Sequence, residues 1–274
     1  MSTVDRGKAA AMGKQAVEII RAGAYTAIDS TAVDIRDWQA DAEAGTVSYP
    51  AGARLPQFVP GVHQTRFEVK NETTLSASRR LTLEGFNVCA LNFASAKHPG
   101  GGFLGGARAQ EESLCRSSGL YGCINGDPMY REHAPTRGGF YTNAAIYSPG
   151  VPVFRDDDGD LMPDPFRCGF VTSPAVNAGT YLKDGGGKQK DVTREMAERI
   201  DKVLTVMAGL GHDAAVLGAW GCGVFRNDPE IIAGLFREAM VTRFSGAFKV
   251  VLFAVLDWSA DRHFIDPFAE RFGG

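Results

Sequence analysis

Two adjacent glutamates, Glu111 and Glu112, follow a glycine-rich loop at a spacing that could support chemistry on a sugar. The loop contains Gly100, Gly101 and Gly102 and comes directly after an apolar run. Short apolar runs bounded by turn residues are typical of buried strands. A strand that leads through glycines into a helix brings backbone amides close to a phosphate. Carboxylates beside such a site therefore indicate chemistry on a sugar that is attached to a diphosphate.

The two carboxylates cannot flank one bond, because adjacent residues on a helix diverge by about 100°. The opposed pair of an ordinary glycosidase is thus excluded, so one glutamate must act on the bond while the other holds the substrate. For an isolated pair, a simpler interpretation is that both acids interact favourably with the helix dipole. The preceding Gln110 and the distance from the triple glycine favour the catalytic interpretation.

The glycine loop also allows other interpretations. Residues 100–105 fit the pattern G-x-G-x-x-G of dinucleotide-binding Rossmann folds, but residues 119–125 do not form the strand end that should carry the expected acid. The glycines could also serve only as a tight connection. A second glycine loop at residues 218–223 would then be a coincidence.

That second loop has the sequence Gly-Ala-Trp-Gly-Cys-Gly-Val-Phe-Arg-Asn-Asp-Pro over residues 218–229. Together with the triple glycine and Gln-Glu-Glu, it resembles the signature of poly(ADP-ribose) glycohydrolases, which have the macrodomain fold. The short bacterial-type members are the most similar. Residues 71–74 and 91–95 are also similar to this family, so the resemblance covers residues 67–253.

Strands that alternate with helices predict a three-layer α/β/α domain. The resemblance implies a macrodomain-like fold with a mixed central sheet over residues 61–274. We expect residues 1–60 to form an N-terminal helical extension that packs on the same domain. If neighbouring strands carry the two glycine loops, these should face each other across one crevice, where open α/β sheets usually bind ligands.

The resemblance also assigns roles. It implies that Glu112 is the general acid and base and that Glu111 holds the substrate, while Phe225 stacks on a ribose. The implied reaction hydrolyses ribose–ribose O-glycosidic bonds of poly(ADP-ribose) through an oxocarbenium-like transition state and releases ADP-ribose. The expected substrate-binding residues are Ala94, Gly100, Gly101, Gly102, Gln110, Gly221, Cys222, Gly223, Val224 and Phe225.

Two other functions remain open on the same fold. One is an ADP-ribose-binding module without turnover, and the other is a hydrolase of mono-ADP-ribosylated proteins or acetylated ADP-ribose. A binding module needs the glycine loops but no acid, so residues 110–112 favour the enzyme. The implied partners are poly(ADP-ribose), ADP-ribose and the poly(ADP-ribosyl)ated proteins that carry the polymer, in the DNA damage response.

Composition limits what else the protein can bind. The 274-residue chain has a formal net charge of -3 and no cluster of five or more Lys and Arg, which argues against extended nucleic-acid binding. A local basic groove could arise only by folding. The five cysteines form no C-x-x-C pair and the histidines no H-x-x-x-H pair, so we expect neither a metal nor another cofactor.

Location follows from similar arguments. No run of 18 apolar residues occurs, which argues against a membrane protein. The first residues lack the basic start and apolar middle of a signal peptide, so we expect a cytoplasmic protein.

Local patterns predict several elements. Residues 8–22 are rich in helix formers and end at Gly23, a natural C-cap. Residues 41–57 are rich in Ala, Gly and Pro and should form a surface loop. Residues 140–146 and 151–155 should be strands. The acidic residues 156–160 lack the complete EF-hand pattern and are interpreted as a hairpin tip.

Overall fold

A computed structural model describes residues 4–183 and 187–273. The helices within these ranges are α1 (Arg6–Ala22), α2 (Arg36–Ala44), α3 (Thr74–Leu83), α4 (Gln110–Ser117), α5 (Leu120–Ile124), α6 (Pro128–His133), α7 (Ala178–Lys183), α8 (Gln189–Gly209), α9 (Pro229–Val241) and α10 (Asp266–Phe272). The strands are β1 (Ala24–Thr26), β2 (Ala32–Asp34), β3 (Val47–Tyr49), β4 (Arg66–Lys70), β5 (Val88–Phe93), β6 (Ala145–Arg155), β7 (Leu161–Ser173), β8 (Ala214–Leu217) and β9 (Val250–Ala254). No helix in these parts of the chain is long and apolar enough to cross a bilayer.

The central sheet has seven strands in the order β3-β6-β7-β5-β8-β9-β4. Neighbours from β7 to β4 are parallel, whereas β6 is antiparallel to both β3 and β7. The sheet is therefore mixed, as predicted.

Both faces of the sheet are covered by helices. In β5, Cys89 and Leu91 pack in the core formed with α8, α9 and α10, while Val88 and Ala90 pack in the core formed with α3, α4, α5 and α6. Successive strand residues point to opposite faces, so a strand buried on both faces is a continuous apolar run. This arrangement confirms the predicted three-layer α/β/α fold.

The N-terminal helix α1 packs on α4 and on the loop that precedes it. Helix α1 confirms the prediction and ends at Gly23, whose φ is 66°. Its Gly13 permits close approach to the loop before α4, because a Cβ there would lie 2.7 Å from the carbonyl oxygen of Phe103. The predicted loop at residues 41–57 was wrong in part: α2 extends into it, and β3 pairs with β6 at the edge of the central sheet.

Strand β6 is one element where two were predicted. Its ladder with β7 shifts register between Ser148 and Val151, on either side of Pro149 and Gly150. The Pro-Gly pair therefore makes a bulge and does not end the strand. Residues 156–160 connect β6 to the antiparallel β7, which confirms the hairpin.

The two glycine loops leave the sheet side by side. Strands β5 and β8 are parallel neighbours, with Val88 opposite Ala214. Their carboxyl ends therefore lie at the same edge of the sheet, and the loops that follow them start side by side there.

Candidate active site

Helix α4 starts immediately after the first glycine loop and places both glutamates against it. The N–H of Gly102 donates to Glu112 Oε1 at 3.0 Å. Gly101 has a φ of 58°, a left-handed conformation that favours glycine. The loop thus holds one oxygen of Glu112, and Oε2 has no hydrogen-bond partner among the residues that the structure describes.

Glu111 has a different environment, although it is the next residue. It is only 3% exposed. The backbone N–H of Ser95 donates to its Oε2 at 2.6 Å, and Asn92 Nδ2 lies 3.4 Å from its Oε1. Burial raises the pKa of Glu111 to about 8, the Ser95 N–H opposes this shift, and the charge of Glu112 adds to it. Glu111 is therefore a fixed carboxyl in the wall of the site.

We expect Glu111→Gln to stabilise the fold increasingly as the pH rises from 5 to 8. The wild-type carboxyl has a folded-state pKa of about 8, above the usual glutamate value of 4.5. The folded state therefore binds more protons in this window, and wild-type stability falls as the pH rises. Each pKa unit corresponds to about 1.4 kcal/mol, so the variant should gain on the order of 3 kcal/mol near pH 8.

Urea unfolding at several pH values measures this gain. Glu270→Gln removes an exposed glutamate and controls for the loss of one negative charge. A gain independent of pH, or a loss that grows with pH, would contradict the assignment of a raised pKa to Glu111.

Gln110 ties α4 to the end of β5. Its Nε2 donates to the carbonyl oxygen of Leu91 at 2.8 Å and to Thr74 Oγ1 at 3.1 Å. Its Oε1 accepts the N–H of Phe93 at 2.9 Å. These bonds position α4, and the predicted contact of Gln110 with the substrate stays a prediction.

The second glycine loop is stabilised by Asn227. Asn227 Nδ2 donates to the carbonyl oxygens of Val176 at 2.8 Å and Gly221 at 3.2 Å. Gly221 has a φ of 76°, and a Cβ on it would lie 2.6 Å from that of Ala175. Larger residues are therefore excluded at this position.

A tight turn follows in the same loop. The N–H of Arg226 donates to the carbonyl oxygen of Gly223 at 3.0 Å. Within residues 4–183 and 187–273, the N–H groups of Gly223, Val224 and Phe225 donate to no protein acceptor. Successive unpaired amides of this kind form a concavity suited to an anion.

The second glycine loop, the start of α4 and the end of β5 enclose a cavity of about 320 Å³, which we call the catalytic cavity. The predicted site residues that line it are Ala94, Gln110, Glu111, Glu112, Gly221, Gly223, Val224 and Phe225. Gly100, Gly101, Gly102 and Cys222 are not in its lining. Cys222 is buried, which raises the pKa of its thiol, and its N–H donates to the carbonyl oxygen of Ala219.

A second cavity of about 300 Å³, which we call the adjacent cavity, shares Gln110 and Gly223 with the catalytic cavity. Glu72, Asp157 and Phe264 also line it, and the sequence analysis missed all three. The acidic hairpin tip was a signal, but nothing in the sequence placed it beside the glycine loops.

Asp157 is a notable carboxyl in the adjacent cavity. Thr73 Oγ1 donates to its two oxygens at 2.9 and 2.8 Å. Burial raises the pKa of Asp157, and the neighbouring carboxylates of Asp156, Asp158 and Glu72 raise it further. Among the described residues, no group of three or more His, Cys, Asp or Glu side chains could hold a metal ion.

Both the sequence and the fold are similar to those of known proteins. Residues 13–156 match the family described as "Microbial-type PARG, catalytic domain", where PARG denotes poly(ADP-ribose) glycohydrolase. The crystal structure of poly(ADP-ribose) glycohydrolase from Thermomonospora curvata has 43% sequence identity and a TM-score of 0.89, over 97% of this chain and 100% of that chain. The values are the same for its complex with the inhibitor ADP-HPD.

A second organism supplies a similar structure. Poly(ADP-ribose) glycohydrolase from Deinococcus radiodurans in complex with ADP-ribose has 42% identity and a TM-score of 0.79, over 85% of this chain and 96% of that chain. No curated protein matches the sequence significantly.

Proposed function

The chain belongs to the microbial-type poly(ADP-ribose) glycohydrolase family, and from that premise we propose that it hydrolyses ribose–ribose O-glycosidic bonds of poly(ADP-ribose) and releases ADP-ribose. Glu112 is the general acid and base in this proposal. The observation that carries it is that two adjacent glutamates line one cavity and occupy different environments there. Glu111 is buried and hydrogen-bonded, whereas Glu112 is partly exposed with one oxygen unpaired within the described residues.

The two cavities suggest how one ADP-ribose unit lies in the site. Its nucleoside occupies the adjacent cavity, beside Glu72 and Asp157. Its diphosphate accepts hydrogen bonds from the unpaired amides of residues 223–225. The ribose whose bond is cleaved then lies in the catalytic cavity, between Glu112 and Phe225.

Cleavage begins when the carboxyl of Glu112 donates its proton to the ribose oxygen of the departing unit. The bond from that oxygen to the anomeric carbon breaks, its electron pair goes to the oxygen, and the retained ribose becomes oxocarbenium-like. The Glu112 carboxylate then takes a proton from a water molecule that attacks the anomeric carbon. One bond is hydrolysed, and Glu112 regains its proton.

Glu111 holds the retained ribose in this scheme. The Ser95 N–H and the Asn92 amide fix its carboxyl, so it offers the sugar a preorganised partner. Asn92 is buried in the middle of β5, and Thr172 Oγ1 lies 3.1 Å from its Nδ2. Asn92 is therefore a positioning residue for Glu111.

The test is to incubate the purified protein with radiolabelled polymer and separate the products. We expect ADP-ribose as the main product. Binding of polymer without any release would favour a binding module. Faster release from mono-ADP-ribosylated protein than from polymer would favour the other hydrolase activity.

Phe225→Ala should weaken ADP-ribose binding by about 1–3 kcal/mol, since stacking of aromatic rings on bases contributes this much. It should also slow turnover, because the ribose loses its orientation beside Glu112. Calorimetry and polymer cleavage measure the two effects. Leu83→Ala is the control, because Leu83 is 77% exposed and lines neither cavity. Equal affinities of the wild type and Phe225→Ala would remove Phe225 from the site.

The cellular setting is part of the same proposal. We infer that the protein acts in the cytoplasm on poly(ADP-ribosyl)ated proteins formed in the response to DNA damage. The resemblance to bacterial-type glycohydrolases supports this setting. Accumulation of polymer in damaged cells that lack the protein, reversed by the cytoplasmic wild type, is the expected result.

A further inference from the structure

The second glycine loop ends in an arginine with an unusual backbone conformation. Arg226 has a φ of 57°, in the left-handed region that residues other than glycine rarely adopt. Two features hold it there: before it, the turn to Gly223, and after it, Asn227 with its hydrogen bonds to Val176 and Gly221. Strained residues of this kind persist where the surrounding structure fixes them, and they cluster at ligand sites.

The side chain of Arg226 is also held in place. Its stem lies on Gly179 of α7, where a Cβ would be 2.9 Å from Arg226 Cδ. The N–H of Gly179 donates to the carbonyl oxygen of Phe225 at 3.0 Å, which joins α7 to the loop. Arg226 is exposed, and its guanidinium contacts no carboxylate or other acceptor within residues 4–183 and 187–273. The fold therefore presents a positioned cation to solvent.

The cavities that its neighbours line indicate where this cation lies. Gly223 lines both cavities, whereas Val224 and Phe225 line only the catalytic cavity. Arg226 follows them and lines neither. Its neighbour Phe225 and Ala175, just before α7, line only the catalytic cavity, and its stem packs on α7, so Arg226 lies on the catalytic-cavity side of the site.

Two more cations belong to the same edge. Lys97 follows the strand that leads to the first glycine loop, and its Nζ donates to the carbonyl oxygen of Thr136 at 2.6 Å. Arg137 is the next residue and is exposed. Gly139 of the same segment accepts a backbone N–H from the residue before α7 at 2.9 Å. We call Lys97, Arg137 and Arg226 the cationic rim.

We propose that Arg226, within the cationic rim, binds the diphosphate of the polymer unit that departs, which is the unit whose ribose oxygen receives the proton from Glu112. This inference rests on the proposed function. The departing oxygen and the 5′-diphosphate belong to the same nucleoside, so a cation beside the catalytic cavity can reach the diphosphate. A guanidinium can donate two parallel hydrogen bonds to phosphate oxygens.

The test compares substrates with and without a departing diphosphate. One is poly(ADP-ribose), and the other is ADP-ribose with a small neutral aryl group at the cleaved position. Arg226→Asn removes the cation, and asparagine tolerates the left-handed backbone. Arg226→Lys keeps the charge without the paired donors, and Arg21→Asn controls for loss of an exposed positive charge elsewhere.

For Arg226→Asn we expect KM for polymer to rise about tenfold, since charge-assisted hydrogen bonds are strong. In a plot of log KM for polymer against log salt concentration, the slope should fall by about one, which is the effect of losing one phosphate contact. The aryl substrate should be cleaved within about twofold of wild type, ADP-ribose affinity should hold, and Arg226→Lys should be intermediate.

Equal losses on polymer and on the aryl substrate would overturn the inference, because Arg226 would then serve the retained unit or the loop itself. No loss on either substrate would overturn it too. If wild type cleaves polymer, the proposed function stands whatever Arg226 does. If wild type cleaves neither substrate, both proposals fail.

Discussion

Gly101→Ala should lower kcat/KM for polymer by about 10²- to 10³-fold, because its methyl group would displace both glutamates. A Cβ on Gly101 would overlap Glu112 Oε1 and lie 3.2 Å from Glu111 Oε2. Neither carboxyl can move without losing the hydrogen bond that fixes it, from Gly102 or from Ser95. The left-handed φ of 58° adds a backbone cost of about 1–2 kcal/mol.

Gly105→Ala is the matched control in the same loop. A Cβ on Gly105 meets no atom within 4 Å, so activity and melting temperature should stay close to wild type. Circular dichroism and thermal melting show whether Gly101→Ala is folded. A folded Gly101→Ala enzyme with wild-type kcat/KM would contradict the packing of this loop on the glutamates.

The buried strands could be predicted because a continuous apolar run in the sequence is enough to indicate them. The run that contains β5 is apolar at nearly every position, and the structure buries both of its faces. The same holds for β9. Helix α1 combined strong helix formers with a terminal glycine, and its observed end at Gly23 has the expected left-handed conformation.

Other elements depend on contacts between distant residues. Helix α2 buries only Gln39 and Ala42, and Gln39 Nε2 donates to the carbonyl oxygen of Gly119 at 3.0 Å. The edge strand β3 exists because β6 offers it a partner. The composition of residues 41–57 therefore favoured a loop, whereas contacts with distant residues make part of this segment a helix and a strand.

In the candidate site, too, some features follow from the local sequence and others from contacts between distant residues. The two glycine loops could be identified because each is continuous in sequence and follows a strand. The sequence did not reveal which glutamate is buried, since burial of Glu111 depends on Asn92 and Ser95 across the crevice. Nor did it place Asp157 in the adjacent cavity.

The arrangement of positive charge is another property that the sequence hides. Lys97, Arg137 and Arg226 are far apart in the chain, so no basic cluster exists in the sequence. Lys97 donates to the carbonyl oxygen of Thr136, next to Arg137. Gly139 of the same segment accepts the N–H of the residue before α7, and Arg226 packs on α7, so the three cations lie at one edge. A polyanion can therefore be recognised locally by a chain with a net charge of -3.

Glu112→Gln should reduce kcat for polymer by about 10³- to 10⁴-fold, because glutamine cannot deliver or accept the proton. Glutamine keeps an oxygen that can accept the Gly102 N–H, so the loop should keep its structure. Glu111→Gln should raise KM as well as lower kcat, because a residue that holds the sugar acts in both the ground state and the transition state.

The most direct test measures polymer cleavage and ADP-ribose affinity on the same preparations of wild type, Glu111→Gln and Glu112→Gln. We predict that Glu112→Gln binds ADP-ribose within about twofold of wild type yet loses nearly all cleavage, while Glu111→Gln loses both affinity and rate. Robust cleavage by Glu112→Gln together with its loss in Glu111→Gln would reverse the two roles, and robust cleavage by both variants would show that the reaction occurs elsewhere.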